Sequence, residues 1–192
     1  TITSDNFEGA YDAMRHLIGL GHRRIGFVGG ISRISTTRER LRAYKAALAD
    51  HDIPLDESLI REGDSRLESG RQLTSELLAL DDPPTAIFTG NNLMTLGAFV
   101  ALNEHGVRIP DDIAVVGYDD VPWAAALNPP PTVVDQPGYE MGKRAAEMLF
   151  QRIERPDQTP TTVTLQHRLI VRASCGAAAH RSGTAGEAAP GT

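Results

Sequence analysis

Short apolar runs alternate along this chain with longer stretches in which apolar residues recur every three or four positions. The runs within 23–30 (RRIGFVGG), 58–64 (SLIREGD), 85–90 (TAIFTG) and 113–120 (IAVVGYDD) read as strands. Between them the period is helical. Asp5 or Asn6 can cap a first helix that carries Ala10, Met14, Leu17 and Ile18 on one face and closes at Gly21. Residues 36–52 place Leu41, Tyr44 and Leu48 at helical spacing, and 68–80 and 92–106 read as two further helices. Strands that are apolar on both faces, separated by helices of this length, imply parallel βαβ units. The expected fold class is therefore α/β, a parallel β-sheet flanked by helices on both faces.

The rhythm changes after Asp120. Residues 129–137 (PPPTVVDQP) form an extended, proline-restricted crossing. A helix over 138–155 follows, with Met141, Ala145, Met148 and Leu149 on one side and Glu140, Lys143, Arg144, Glu147 and Arg152 on the other. A last strand is expected over 162–174. The Ala- and Gly-rich end, from Ala173 on, has no period and is expected to be disordered. Helix 92–106 is unusual in being apolar all round: Leu93, Leu96, Val100 and Ala101 make one stripe, Met94, Ala98 and Leu102 a second, with Phe99 between them. Such a helix has to be covered on two sides. With no spare element evident, a second copy of the chain is the expected cover, through a dimer interface on Met94, Ala98, Phe99 and Leu102.

Composition narrows the function. The 192 residues carry 19 basic and 25 acidic side chains, a net charge of −6, which is the wrong sign for a domain whose main work is gripping phosphates. No apolar run approaches membrane-spanning length, and Thr1 to Phe7 show no secretion signal. The single cysteine, Cys175, excludes an internal disulfide and any CxxC metal or redox site. The sequence has no GxSxG elbow, no phosphate loop, no GxGxxG and no HExxH or similar histidine spacing, so neither an enzyme, a metal nor a cofactor is expected.

A ligand site is nevertheless expected where the parallel strands end. Those ends are small and polar: residues 32–37, 63–65, 90–92 and 118–120. Amides, hydroxyls, carboxylates and an arginine suit a neutral, hydroxyl-rich molecule such as a sugar or nucleoside. The local alternative is that Asn91 or Asn92 only caps a helix and Asp119 only ends a turn. The acid pairs Asp111-Asp112 and Asp119-Asp120 offer at most a weak metal site, and the first more naturally caps a turn.

Four segments, 5–30 (DNFEGAYDAMRHLIGLGHRRIGFVGG), 83–120 (PPTAIFTGNNLMTLGAFVALNEHGVRIPDDIAVVGYDD), 129–137 and 169–174 (LIVRAS), resemble in order and spacing the effector-binding core of LacI/GalR-type bacterial transcription regulators. The resemblance runs over residues 1–175. It implies a periplasmic-binding-protein-like fold of type I, in which two subdomains close over a small effector and a helix-turn-helix headpiece reads operator DNA. The matching part is mainly the C-terminal subdomain, so contact with operator DNA falls to a headpiece these residues do not include. On this division 1–137 is the C-terminal effector-binding subdomain and 138–155 a helix of the other subdomain. The strand returning to the first is 156–175, and 176–192 is the tail. The resemblance further implies a cytoplasmic homodimer, a regulator without enzymatic activity, and effector contacts from Arg40, Asp119, Asn91, Thr36, Ser65 and Gln136. Two positions depart from the family pattern: Asn92 stands where most members have aspartate, and Ser65 where many have an aromatic that stacks on ligand. Trp123 is an alternative stacking platform, although packing beneath the proline crossing accounts for it as well. A sugar-binding protein of a transport system is the competing reading, and would carry a secretion signal where a regulator carries a headpiece.

Overall fold

The computed structural model describes residues 1–177. The chain runs β1 (Ile2–Ser4), α1 (Asn6–Gly19), β2 (Ile25–Gly29), α2 (Ser35–Asp50), β3 (Ile60–Glu62), α3 (Leu67–Leu78), β4 (Ala86–Thr89) and α4 (Asn92–Glu104). It continues with β5 (Ala114–Tyr118), β6 (Thr132–Asp135), α5 (Gly138–Glu154), β7 (Val163–Leu165) and β8 (Arg168–Ile170). The main sheet has the order β3-β2-β4-β5-β6-β8, parallel throughout except for the antiparallel β6–β8 pair at one edge.

Strand parity divides the core in two. Ile25, Phe27, Ala86, Phe88, Ala114, Val116 and Tyr118 face α1 and α2, meeting Ala10, Met14, Leu17, Ala43, Tyr44 and Ala47. The alternate residues Val28, Ile87 and Val115 face the other way, onto Leu77 of α3 and Met94, Phe99 and Leu102 of α4. Two helices on each face bury the central strands β2, β4 and β5 completely, which is why those strands carry no polar alternation. The expected α/β class, with helices on both faces, is what the chain adopts.

Helix α4 corrects the expected interface. Met94, Ala98 and Leu102 are fully buried within this chain and Phe99 is 8% exposed, so none of them is left for a second copy. The second cover is α3. Glycines let the two helices touch: a Cβ on Gly97 would lie 2.2 Å from the Leu67 carbonyl oxygen, and one on Gly70 would lie 2.7 Å from Met94 Cα. The sheet takes one side of α4 and α3 the other. What remains outward is the stripe of Leu93, Leu96 and Val100, with Leu93 43% exposed. Thr95, the lone polar residue within 93–102, is buried but satisfied by Thr89 Oγ1 at 2.6 Å and the Asn91 carbonyl at 2.8 Å.

The carboxyl-terminal part differs from expectation in two places. The single strand expected over 162–174 is two: β7 leaves the main sheet to pair in parallel with β1, and only β8 returns to β6. Between the two, His167 Nε2 sits 2.9 Å from Asp12 Oδ2 on α1. The expected disorder from Ala173 does not begin there. Ala173–Cys175 is a 3₁₀ turn, in which the fully buried Ser174 hydroxyl accepts from Thr132 N at 2.8 Å and donates to the Val115 carbonyl at 2.6 Å. The remainder of the expected tail, 178–192, lies outside the described residues.

Helix α5 packs beside β1 and buries none of its residues; Tyr139 is 87% and Phe150 66% exposed. Its Ala145, Met148 and Leu149 line a hollow of about 340 Å³ with Thr1 and Ile2. β1, β7 and α5 thus stand apart from the six-stranded sheet.

Candidate functional site

The direction of the chain reverses beside β2: α2 leads outward to β3, and α3 brings the chain back to β4 on the other side of β2. A crevice opens at such a reversal, at the carboxyl ends of the strands. Gly30, Ser65, Gly90 with Asn91, Asp119 and Gln136 follow β2, β3, β4, β5 and β6 and therefore gather along one edge. Of the non-glycine residues with positive φ among the described residues, Ser65 (69°) and Asp119 (71°) both lie on this edge. Left-handed backbone at such residues is unfavourable and persists where the surroundings impose it.

Arg40, in the second turn of α2, reaches under this edge and is only 6% exposed. Its Nε and Nη2 donate to Asn6 Oδ1 at 2.9 and 2.7 Å, and Nη1 donates to the Gly90 carbonyl. The guanidinium lies over the Tyr118 ring, 3.5 Å from its centroid. Burial lowers the Arg40 pKa, opposed by the nearby Asp119, and pushes the Tyr118 hydroxyl up to about 12, so Tyr118 is neutral across the ordinary pH range.

The two aspartates after β5 face different partners. Gln136 Nε2 donates to Asp119 Oδ1 at 2.5 Å, which joins the ends of β5 and β6 and leaves Asp119 Oδ2 as an acceptor. Asp120 is engaged by Arg172 at 2.8 and 2.9 Å, and this pairing holds its carboxyl below the usual carboxylate range. Asp120 is thereby removed from any metal pair with Asp119.

Asn91 serves the local role that was the alternative for it: Oδ1 caps α4 by accepting from Met94 N at 2.8 Å, while Nδ2 donates to the Ser65 carbonyl at 3.0 Å. It ties two strand ends together. The Ser65 side chain lies over Gly30, where a Cβ would fall 2.2 Å from Ser65 Oγ. Thr36 borders a neighbouring hollow of about 480 Å³ shared with Ser4, Asn6 and Arg42. Trp123 is 39% exposed, on the 3₁₀ turn of Pro122–Ala126. Sequence reasoning read Asn6 only as a possible cap, and placed Tyr118 at this edge without giving it a role in the site. Asp5 alone caps α1, by accepting from Glu8 N, so a second capping-type residue beside it signals another task; strand parity puts Tyr118 on the α2 face with Phe88.

With this geometry in view, a family model described as a periplasmic binding protein-like domain matches residues 14–175. The chain belongs to that family. The domain is 36% identical over 173 residues to the HTH-type transcriptional repressor PurR of Mannheimia succiniciproducens, covering 90% of this chain and 52% of the relative. It is 37% identical over 166 residues to the ribose operon repressor of Haemophilus influenzae, covering 86% and 50%. Among solved structures, a LacI family transcriptional regulator from Enterococcus faecium with bound ribose superposes with a TM-score of 0.85 at 31% identity, covering 90% of this chain and 64% of that one. This periplasmic-binding-protein-like domain spans about half the length of the curated relatives it matches, and those relatives are repressors. Among the described residues no helix is long and apolar enough to cross a membrane.

Proposed function

We propose that this domain is the effector-sensing and dimerisation portion of a cytoplasmic LacI-type transcription regulator, and that its effector is a neutral, hydroxyl-rich molecule of the sugar or nucleoside kind. The observation that carries the reading is a buried arginine, Arg40, held near an Asp119 oxygen that Gln136 leaves open, on one sheet edge. Together they offer a fixed donor and a fixed acceptor to hydroxyls or ring nitrogens. Thr36, Ser65 and Gln136 add polar contacts, and Asn91 holds the edge in shape. Helix α5 is assigned to the second subdomain, whose closure over the cleft would complete the wall opposite Arg40.

Self-association is assigned to the outward stripe Leu93, Leu96 and Val100 rather than to the buried residues of α4. The net charge of −6 leaves operator DNA to a headpiece. Repressors among the curated relatives favour this reading over a transport protein.

Calorimetry with ribose, cellobiose and adenosine tests the reading. Arg40→Ala is expected to weaken whichever of these binds by about 1.5–3 kcal/mol, the worth of charge-assisted hydrogen bonds. A binder indifferent to Arg40→Ala and to Asp119→Asn would overturn it.

A further inference from the structure

We infer that Asn6 is a positioning residue of the effector cleft: its neutral amide locks the Arg40 guanidinium in place and ties it to β1. The inference rests on the reading of Arg40 as an effector contact. Asn6 is 8% exposed and lies 34 positions before Arg40. Its Oδ1 accepts from both Nε and Nη2 of Arg40, at 2.9 and 2.7 Å, and its Nδ2 donates to the Ser4 carbonyl at 2.9 Å. The amide orientation follows from chemistry, because a guanidinium has only donors and a carbonyl only accepts.

These contacts fix three directions at once. Asn6 holds one edge of the guanidinium, the Gly90 carbonyl takes one N–H of Nη1, and the Tyr118 ring supports the flat face. An arginine has five N–H donors. Three are held by Asn6 and the Gly90 carbonyl, so the orientation of the guanidinium is set before any ligand arrives. Such preorganisation reduces the ordering required on binding.

The choice of amide over carboxylate matters. Asn6 holds Arg40 without neutralising it, so the positive charge stays available beside Asp119. An aspartate would keep the acceptor for Arg40 but set a second oxygen against the Ser4 carbonyl, where the amide now donates. Ser4 ends β1, the strand that pairs with β7 outside the main sheet. A shift of β1 therefore moves Asn6, and through it the cleft arginine.

The test uses the 192-residue chain with ¹⁵N-labelled arginine, the Arg40 Nε–H signal being assigned by its loss in Arg40→Lys. Hydrogen exchange of that signal reads the clamp directly. Asn6→Ala is expected to speed its exchange by at least about tenfold, and Asn6→Asp to restore protection, with circular dichroism unchanged in both. Ribose titrations of the same variants then read the cleft. If ribose binds, Asn6→Ala weakens it, whereas Asn6→Asp separates clamp from charge by keeping protection while changing affinity. Unchanged Arg40 exchange in Asn6→Ala would overturn the inference whatever ribose does. Lost protection in Asn6→Ala, together with ribose binding that ignores Arg40→Lys, would leave the clamp standing and contradict the reading of Arg40 as the effector contact.

Discussion

Arg172 grips Asp120 through both terminal nitrogens, at 2.9 and 2.8 Å, and a third contact from Nη1 reaches the Pro131 carbonyl at 3.0 Å. The pair joins the segment after β5 to the segment after β8, on side chains only 21% and 22% exposed. This frees Asp119, the preceding residue, to face the cleft.

The pair should give stability a pH signature. Arg172 depresses the folded-state pKa of Asp120. Its contribution is therefore fully present above the unfolded carboxylate value of about 4, and is lost as pH falls through the lower folded value. Asp120→Asn is expected to cost about 1.5–3 kcal/mol at neutral pH, the usual range for hydrogen bonds to charged groups, with the difference from wild type shrinking toward pH 3. Urea unfolding at both pH values measures it. An equal gap at both would show that the ion pair is not its source.

Burial separates two leucines on one helix. Leu102 is fully buried between α4, α3 and the sheet, whereas Leu96 lies on the outward stripe. Leu102→Glu should unfold the chain or destabilise it by about 4 kcal/mol or more, because an uncompensated charge enters the core. Leu96→Glu should leave circular dichroism unchanged and reduce the sedimenting mass to that of one chain. A Leu102→Glu chain as stable as wild type, or an unchanged mass for Leu96→Glu, would contradict these assignments.

The chain is integral to the core through Ser174, Cys175 and Ala177. Ser174→Ala removes the hydroxyl that serves both Thr132 N and the Val115 carbonyl, and should cost about 1–3 kcal/mol for the buried groups left unpaired. Cys175 is 1% exposed and in contact with His16 Nε2 at 3.2 Å, so it should react with a thiol reagent only on unfolding. Rapid labelling of the native chain would show that this segment opens freely.

Much of the fold was legible because the central strands are short, apolar and bounded by polar turns. The strand ends then located Asp119, Asn91 and Ser65 on one edge, because the loops after parallel strands all open at the same end of the sheet; Gln136 came only from the family resemblance. Other features depended on distant partners. Periodicity showed that α4 needed two covers but could not say which element supplies the second. The helical glycines Gly70 and Gly97 were the available sign, as they permit α3 to approach within backbone contact. The division of β7 from β8 lies beside the Asp12–His167 contact across 155 positions, which no local pattern records. Asn6 looked like a redundant cap until Arg40 was seen against it.

The central claim is that a hydroxyl-rich molecule binds at the carboxyl ends of β4, β5 and β6. Backbone amide shifts of the labelled chain, titrated with a panel of pentoses, hexoses, disaccharides and nucleosides, test it most directly. One wall of a cleft buries less ligand surface than the usual 70–90%, so weak binding, with Kd near about 1 mM, is expected. The account predicts that the shifted amides cluster at Thr36, Ser65, Asn91, Asp119 and Gln136, and that Arg40→Ala abolishes the shifts. Shifts centred instead on Ala145, Met148 and Leu149 of α5, or no shift from any member of the panel, would contradict it.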